Sequence, residues 1–478
     1  MADSKTSTES LALEPGRDAL EALANDALRR VFDHLESLPD QPAADVVGAL
    51  DLARALIERQ APEGGTPAPE LLNLLFERVI PKSFNTAGPG YLAYIPGGGL
   101  PSSAIAAFIA QAVNRYVGVF AAAPPLAQLE TNVLRWFTQL AGLPTGSGGI
   151  LTSGGSLAGL SAIVAAREAR LPENFLSGIL YTSEESHHSI AKAAALAGFP
   201  RRNVRVVPAD EHFRMRLDAL QTAVDEDRRS GLEPFLVVGN AGSTNTGAVD
   251  DLLALADFAQ RERLWFHADA AYGGFFLLTD RGRRTLAGIE RADSIVLDPH
   301  KGLFLPYGTG CLLVRDLDTL RRSNGSGGDY LPGMQSDPDF IDSCTISPEL
   351  SRGYRGLGVW LPIKLHGLAA FRAALDEKLD LAQWASEALR QNPDIEIVAA
   401  PQLSLVAFRH RAPGRSKVDR EALNRRLLAG LNARQRVHVS GAVVRGEFLL
   451  RFCVLSFRTH RKDLAAALED LGSAIAED

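Results

Sequence analysis

The sequence predicts an α/β protein with a mostly parallel sheet, preceded by a helical arm and followed by a smaller α/β unit. From about residue 149, short apolar runs alternate with segments of helical spacing, which is typical of strands joined by helices. The region before these runs has helical spacing only, and the region beyond Trp360 repeats the alternation on a smaller scale. We therefore expect three units, covering residues 1–85, 86–360 and 361–478.

The first unit is predicted to be helical. Residues 18–38, 43–59 and 69–79 carry apolar side chains at helical spacing, and proline-rich segments separate them. Three short amphipathic helices without a strand are too few to close a core of their own. We therefore expect their apolar faces to pack on another surface.

Seven short apolar runs in the central unit are predicted to be strands. They cover residues 150–151, 179–182, 204–207, 235–238, 264–267, 294–297 and 311–314. Apolar runs separated by helical segments are typical of a parallel sheet that is buried on both faces. In the last unit, strands are expected near 405–409 and 448–453, and a closing helix over 462–475.

Composition limits the possible partners. The chain has 478 residues and a net charge of −7, which argues against binding to nucleic acid or to an anionic membrane. The three cysteines, Cys311, Cys344 and Cys453, lack the spacing of metal ligands and suit a reducing compartment. No apolar run is long enough to span a bilayer. We expect a cytoplasmic soluble protein without a bound metal.

Two of the predicted strands end in residues that can perform chemistry. Run 294–297 leads into Asp298 and Lys301, and run 264–267 leads into Asp269, which small residues follow. An isolated lysine at a strand end usually extends to solvent. A buried lysine and a buried acid at neighbouring strand ends, however, are the pair that pyridoxal phosphate (PLP) requires. The lysine holds the cofactor, and the acid keeps its pyridine nitrogen protonated.

The segments HADAAYGG at 267–274 and DPHKG at 298–302 resemble the group II PLP-dependent amino-acid decarboxylases. This family includes the aromatic-amino-acid, histidine and glutamate decarboxylases, and the motifs here are most similar to those of the aromatic-L-amino-acid decarboxylases. The resemblance extends from about residue 18 to the end of the chain. It implies the PLP-dependent transferase fold type I, PLP as cofactor, and a carboxy-lyase that converts an amino acid to its amine and CO2. It also implies a homodimer in which the N-terminal arm embraces the partner.

The resemblance assigns ten residues to cofactor binding. Gly154 and Gly155 follow the first strand, at a turn where backbone N–H groups can converge on a phosphate. His187 corresponds to the histidine that stacks on the cofactor ring. The full set is Gly154, Gly155, Ser156, His187, Thr244, Asp269, Ala271, Asp298, His300 and Lys301.

The same resemblance implies catalytic and substrate-binding residues. Lys301, His187 and Asp269 are expected to be catalytic together with Tyr330, which lies in a glycine-rich stretch expected to form a mobile lid. Tyr330 aligns with the catalytic-loop tyrosine of the aromatic decarboxylases. The expected substrate-binding residues are Tyr91, Tyr94, Ile95, Pro96 and Ser351.

Three alternatives to an aromatic amino-acid decarboxylase remain open. The segment 91–99 has aromatic side chains and no cation, which favours an aromatic substrate, but Arg115 could receive an acidic one. An aldehyde synthase is the second alternative, although family members of that type carry phenylalanine at the position of Tyr330. The third is a catalytically silent scaffold or ligand sensor, and the intact set of catalytic residues argues against it.

Overall fold

The computed structural model describes residues 13–325, 337 and 339–478. Its helices are α1 (Arg17–Ser37), α2 (Ala49–Ala55), α3 (Ala68–Asn73), α4 (Pro101–Val113), α5 (Pro124–Leu140), α6 (Gly155–Arg170), α7 (Ser189–Leu196), α8 (Leu217–Arg229), α9 (Leu252–Glu262), α10 (Asp280–Thr285), α11 (Pro299–Gly302), α12 (Asp318–Asn324), α13 (Arg355–Arg390), α14 (Lys417–Ala433) and α15 (Arg461–Glu477). Its strands are β1 (Gly148–Thr152), β2 (Gly178–Ser183), β3 (Val204–Val207), β4 (Glu233–Asn240), β5 (Trp265–Ala270), β6 (Ser294–Leu297), β7 (Gly310–Val314), β8 (Ile395–Ala399), β9 (Leu405–His410), β10 (Ser440–Val444) and β11 (Glu447–Cys453).

The large sheet confirms the predicted α/β fold. Its strand order is β1-β7-β6-β5-β4-β2-β3, and β7 runs antiparallel to both of its neighbours while the other pairs are parallel. Each of the seven strands overlaps a predicted apolar run. Strands β5 and β6 pair in register, with Asp269 opposite Val296. This register brings Asp269 and the segment after β6 to the same edge of the sheet.

Helices cover the large sheet on both faces, which explains why most residues of its strands are buried. Every residue of β1, β6 and β7 is buried. Helix α6 packs on these strands through small side chains, among them Ala158, Ala162 and Ala165. The small side chains allow this helix to approach the sheet closely, so that its N-terminus lies beside the end of β1.

The last unit contains a four-stranded antiparallel sheet in the order β10-β11-β9-β8. Sequence analysis predicted β9, β11 and the closing helix α15, but it did not predict β8 or β10. Helix α13 runs across residue 360 and is interrupted at Gly367, where φ is 70°. The boundaries proposed at residues 85 and 360 remain predictions.

The N-terminal arm, defined here as residues 13–85, differs from the rest because none of α1, α2 or α3 has a buried residue. The prediction of one helix over 43–59 was wrong in extent, since the helix there covers only Ala49–Ala55. The N–H of Ala43 donates instead to the carbonyl of Gln435, and the carbonyl of Ala43 accepts from Asn85. Within the described residues, no helix is both long enough and apolar enough to cross a membrane.

Candidate active site

A cavity of about 300 Å³ lies at the edge of the large sheet where β2, β4, β5 and β6 end. Loops after parallel strands meet at this edge, which is where open α/β sheets bind ligands. All ten residues that the sequence assigns to the cofactor line this cavity. Further lining residues that the sequence did not single out include Ser153, Ser189, Asn240, His267 and Tyr272.

One end of the cavity is a cup made by the turn between β1 and α6. Helix α6 begins at Gly155, so its first backbone N–H groups and the positive end of its dipole face this cup. A Cβ atom on Gly155 would lie 2.9 Å from Oδ2 of Asp298, so a larger residue would fill the space. This arrangement fits a bound phosphate group.

Lys301 reaches the cavity from α11, the single turn that follows β6. Its Nζ lies 2.9 Å from Oδ2 of Asp298, whose side chain is buried. The other carboxylate oxygen, Oδ1, has no hydrogen-bond partner in the described part of the chain. His300 is held beside this pair, because its Nδ1 donates to the carbonyl of Thr309 at 2.7 Å. The structure thus places the amine that PLP requires inside the cavity, with a counterion beside it.

Asp269 and His187 approach the cavity from different strands. Asp269 lies near the end of β5, and its Oδ1 accepts a long hydrogen bond from the N–H of Ala271 at 3.3 Å. His187 precedes α7, and the N–H of Ser189 donates to its Nδ1 at 3.3 Å. Burial lowers the pKa of His187, and the neighbouring His188 lowers it further. Both effects favour the neutral ring, and the hydrogen bond from the Ser189 N–H to Nδ1 favours the tautomer with its proton on Nε2.

Asp250 braces the loop that carries Thr244 into the cavity. Its Oδ2 accepts from the N–H of Asn240 at 2.7 Å, and its Oδ1 accepts from the N–H of Met215 at 2.7 Å. Burial raises the pKa of Asp250 to about 6 despite these hydrogen bonds. The hydrogen bond from Asn240 joins the two ends of the loop, and Gly242, Ser243 and Thr244 within it line the cavity.

The five residues predicted to bind substrate do not line this cavity. Tyr91 is buried and stacks on His438, with ring centroids 5.6 Å apart. Tyr94 is 57% exposed, while Ile95 and Pro96 are buried beside it. Ser351 is exposed on the segment before α13. Their assignment to the substrate remains a prediction. Tyr330, the fourth predicted catalytic residue, lies outside the described residues.

Sequence analysis gave no role to Arg451, which is buried on β11. Its Nη2 donates to the carbonyl of Thr244 at 2.5 Å, and its Nη1 donates to Oγ of Ser440 at 3.1 Å. No carboxylate pairs with this guanidinium in the described ranges, and its Nε lacks a partner. Burial lowers its pKa. An arginine inside an apolar strand run was the signal that could have revealed it.

Arg115 and candidate metal ligands were also considered from the sequence. Arg115 is exposed on the segment after α4 and does not line the cavity. The described residues contain no cluster of three or more histidine, cysteine or acidic side chains that could hold a metal ion.

The comparisons with known proteins agree on one family for this chain. The model of the pyridoxal-dependent decarboxylase conserved domain matches residues 51–411. An aromatic-L-amino-acid decarboxylase of Bacillus atrophaeus is 32% identical over 470 residues, which cover 98% of this chain and 97% of that protein. A phenylacetaldehyde synthase of Arabidopsis thaliana is 27% identical, with 91% of this chain and 92% of that protein covered.

Solved structures support the same assignment. The structure of Oryza sativa TDC with PLP and tryptamine matches with a TM-score of 0.92 at 28% identity, covering 97% of this chain and 98% of that one. Lys301, the half-buried Asp269 and the phosphate cup of the cavity fit the cofactor that this structure contains. The chain therefore belongs to the pyridoxal-dependent decarboxylase family, and it is a carboxy-lyase that uses PLP.

Proposed function

We propose that this enzyme decarboxylates an aromatic L-amino acid to the corresponding amine. The observation that carries the proposal is similarity over nearly the full length to an aromatic-L-amino-acid decarboxylase. A solved structure that matches this chain with a TM-score of 0.92 contains tryptamine, the amine of tryptophan. The cavity supports the chemistry, because it gathers Lys301, Asp269 and His187 around one space.

The residues expected to hold the cofactor and to perform the reaction have proposed roles. When bound, PLP supplies an electron sink for the pair left behind as CO2 departs. Lys301 would hold the cofactor through its amine. The Asp269 carboxylate would keep the pyridine nitrogen protonated, and the N-terminus of α6 would bind the phosphate. His187 would lie against the ring and assist Tyr330 in returning a proton to Cα.

The acidic-substrate alternative gains no support from the two arginines considered. Arg451 is buried and Arg115 is exposed, and neither of them lines the cavity.

Amine rather than aldehyde is the proposed product. The aldehyde route consumes O2 and water and releases aldehyde, ammonia and hydrogen peroxide with the CO2, so it competes with protonation of Cα. A tenfold preference between the two routes requires only about 1.4 kcal/mol between their barriers. The proposal for amine rests on Tyr330 and His187 in the sequence, where a phenol can deliver the proton.

We also propose that the enzyme is a homodimer located in the cytoplasm. The N-terminal arm exposes many large apolar side chains, and α4 exposes further ones. They are Leu20, Leu23, Val31, Phe32, Val46, Val47, Leu50, Leu56, Ile57, Leu71, Leu75, Ile105, Phe108, Ile109 and Val113. Exposed apolar surface of this extent is typical of an interface with another protein. The acidic composition and three unpaired cysteines suit a reducing compartment.

A screen of CO2 release over the standard amino acids and DOPA tests the substrate class. We expect tyrosine, phenylalanine, DOPA or tryptophan to be turned over faster than glutamate or aspartate, with amine and CO2 formed in equal amounts. Faster turnover of an acidic amino acid would overturn the aromatic assignment. Hydrogen peroxide formed in step with CO2 would overturn the amine. A purified protein that takes up no PLP and gives no visible band would indicate the silent scaffold instead.

A further inference from the structure

His267 is a fully buried histidine that the proposed mechanism does not yet use. It lies on β5 two residues before Asp269, so both side chains emerge from the same face of the strand. Its side chain lines the cavity, yet its Nε2 has no hydrogen-bond partner within residues 13–325, 337 and 339–478. Unsatisfied buried nitrogens are rare in folded proteins, and this one adjoins a functional residue.

Hydrogen bonds on the other side of the ring fix its tautomer. The Nε1–H of Trp265, which can only donate, lies 2.8 Å from Oγ of Ser294. The same oxygen lies 2.8 Å from Nδ1 of His267. If the Ser294 hydroxyl accepts from Trp265 and donates to Nδ1, the proton of His267 lies on Nε2. The opposite arrangement would leave both the Ser294 hydroxyl proton and the Nε2 lone pair buried without partners, which costs more.

The ring is neutral under physiological conditions. Burial lowers the pKa of His267 to about 4, although the negative charge of Asp269 opposes this effect. The other ionisable groups that line the cavity are His187 before α7, and Asp298, His300 and Lys301 at α11. His267 therefore presents a neutral N–H donor on the same strand face as the Asp269 carboxylate.

We propose that His267 is a positioning residue, whose Nε2–H donates to the Asp269 carboxylate and orients it toward the pyridine nitrogen of PLP. The proposal rests on the role proposed for Asp269. The structure contains no direct hydrogen bond between the two side chains, so the contact requires rotation of the carboxylate toward Nε2 or one bridging water. Within the described part of the chain, the Asp269 carboxylate accepts one hydrogen bond, the long one from Ala271, and it therefore retains acceptor sites for both His267 and the cofactor.

A donor to the carboxylate favours its charged form and restricts its rotation. Both effects keep the pyridine nitrogen protonated over a wider pH range than Asp269 alone would achieve. His267 thus acts on the reaction through Asp269 and without touching the substrate. Supporting groups of this kind typically change a site's activity or affinity by 10- to 100-fold, as measured around metal ligands.

Two substitutions of His267 separate a donor role from a packing role. In His267→Gln the side-chain amide reaches the position of Nε2, whereas in His267→Asn it reaches only the position of Nδ1. We expect His267→Asn to lower kcat roughly tenfold or more and His267→Gln to stay within about threefold of the wild-type enzyme. Ser294→Ala, which removes the group that fixes the tautomer, should give an intermediate loss.

The decisive measurement is made on the cofactor rather than on turnover. The visible absorption of each purified holoenzyme is recorded against pH, together with the 15N chemical shift of PLP labelled at the pyridine nitrogen. We expect the nitrogen to lose its proton at lower pH in His267→Asn than in the wild-type enzyme, and His267→Gln to restore the wild-type value. Identical titrations of the wild-type and Asn enzymes would overturn the proposal, as would equal shifts in the Asn and Gln variants.

Asp269→Asn is measured beside them to separate the two proposals. If Asp269→Asn leaves the 15N shift and turnover unchanged, the role of Asp269 itself is wrong. If Asp269→Asn abolishes nitrogen protonation while His267→Asn matches the wild-type enzyme, only the inference about His267 fails. Should His267→Asn not fold, Ser294→Ala and His267→Gln still decide the question, because a wild-type titration in Ser294→Ala would contradict the tautomer argument.

Discussion

The cofactor cavity and the N-terminal arm depend on different surroundings. The described residues that line the cavity are attached to buried strands such as β5 and β6. The arm has helices without buried residues, and Val47 is 76% exposed on it. The core of this chain therefore supports the lining of the cavity, whereas the apolar side chains of the arm are left exposed. Substitutions in the cavity should therefore impair catalysis, whereas substitutions in the arm should impair association of the subunits.

The largest expected effect is the loss of chemistry in Lys301→Ala. The substitution removes the amine that holds the cofactor, and it also leaves the buried Asp298 carboxylate without its cation. We expect turnover to fall roughly ten-thousand-fold or more, as happens when covalent catalytic residues are removed from other enzymes. The visible band of the purified protein should disappear, while its oligomeric state stays unchanged.

Lys192→Ala is the matched control for that experiment. Lys192 is exposed on α7 and does not line the cavity. We expect the control to keep its colour and activity. If Lys301→Ala retained a protein-bound visible band and measurable turnover, the cavity would not be the active site.

Substitutions in the arm should weaken the dimer rather than change the chemical reaction. Phe32 is 57% exposed on α1, and Phe32→Glu would place a charge in the proposed interface. Burial of such a side chain contributes about 1.5–3 kcal/mol, and a two-fold interface contains each substitution twice. We expect the dimer to weaken by about 3 kcal/mol or more, which sedimentation over a concentration series would measure. The control is Glu36→Gln, because Glu36 is exposed on the same face of α1, and we expect this variant to leave association unchanged. Equal dissociation constants for the two variants would rule out this face as the interface.

The same contrast explains how much could be predicted from the sequence. The ten residues that the resemblance assigns to the cofactor line one cavity, because parallel strands end at one edge of a sheet and the residues that follow them converge there. Tyr91 was assigned to the substrate, but its position depends on distant pairing, since the N–H of Leu92 donates to His438 and its carbonyl accepts from Cys453. Local pattern carries no information about such contacts. Residues 43–44 likewise pair with distant backbone rather than extending α2.

A buried ion pair within this chain provides a test of stability that does not involve the arm. Nη2 of Arg352 lies 2.6 Å from Oε1 of Glu130, and both side chains are almost fully buried. Removing one partner leaves a buried charge uncompensated, which typically costs about 3–5 kcal/mol. We expect Arg352→Gln to lower the midpoint of thermal unfolding markedly, without changing the dissociation constant of the dimer.

Arg355→Gln is the control for the buried pair. Arg355 makes a bidentate contact with Glu349 at 2.8 and 2.9 Å, but both side chains are more exposed. Such pairs contribute about 1 kcal/mol or less. A thermal midpoint that falls equally in both variants would show that burial of the Arg352–Glu130 pair has no special cost.

The smallest expected effect concerns the pH dependence of stability near the cavity. Glu185 lies in the turn that leads to His187, its Oε2 lacks a partner among the described residues, and its side chain is buried. Burial raises the pKa of Glu185 to about 7, and the nearby charge of Glu184 adds to the rise, whereas the unperturbed value is 4.5. Because the folded state holds this proton more tightly than the unfolded state, Glu185 contributes stability below pH of about 4.5 that is lost as pH rises through about 7.

Glu185→Gln removes this titration and keeps a neutral side chain of the same shape. The free energy of unfolding of the variant, relative to the wild-type protein, should therefore increase between pH of about 4.5 and about 7 and level off above that range, by about 3 kcal/mol at most. Thermal unfolding at pH of about 5 and about 8 measures the difference. Glu184→Gln, at an exposed neighbouring position, removes only the smaller cause of the raised pKa of Glu185, so its difference from the wild-type protein should change much less over the same range. If Glu185→Gln also ran parallel to it, Glu185 would already be ionised in the folded protein, and the turn before His187 would not hold a proton at neutral pH.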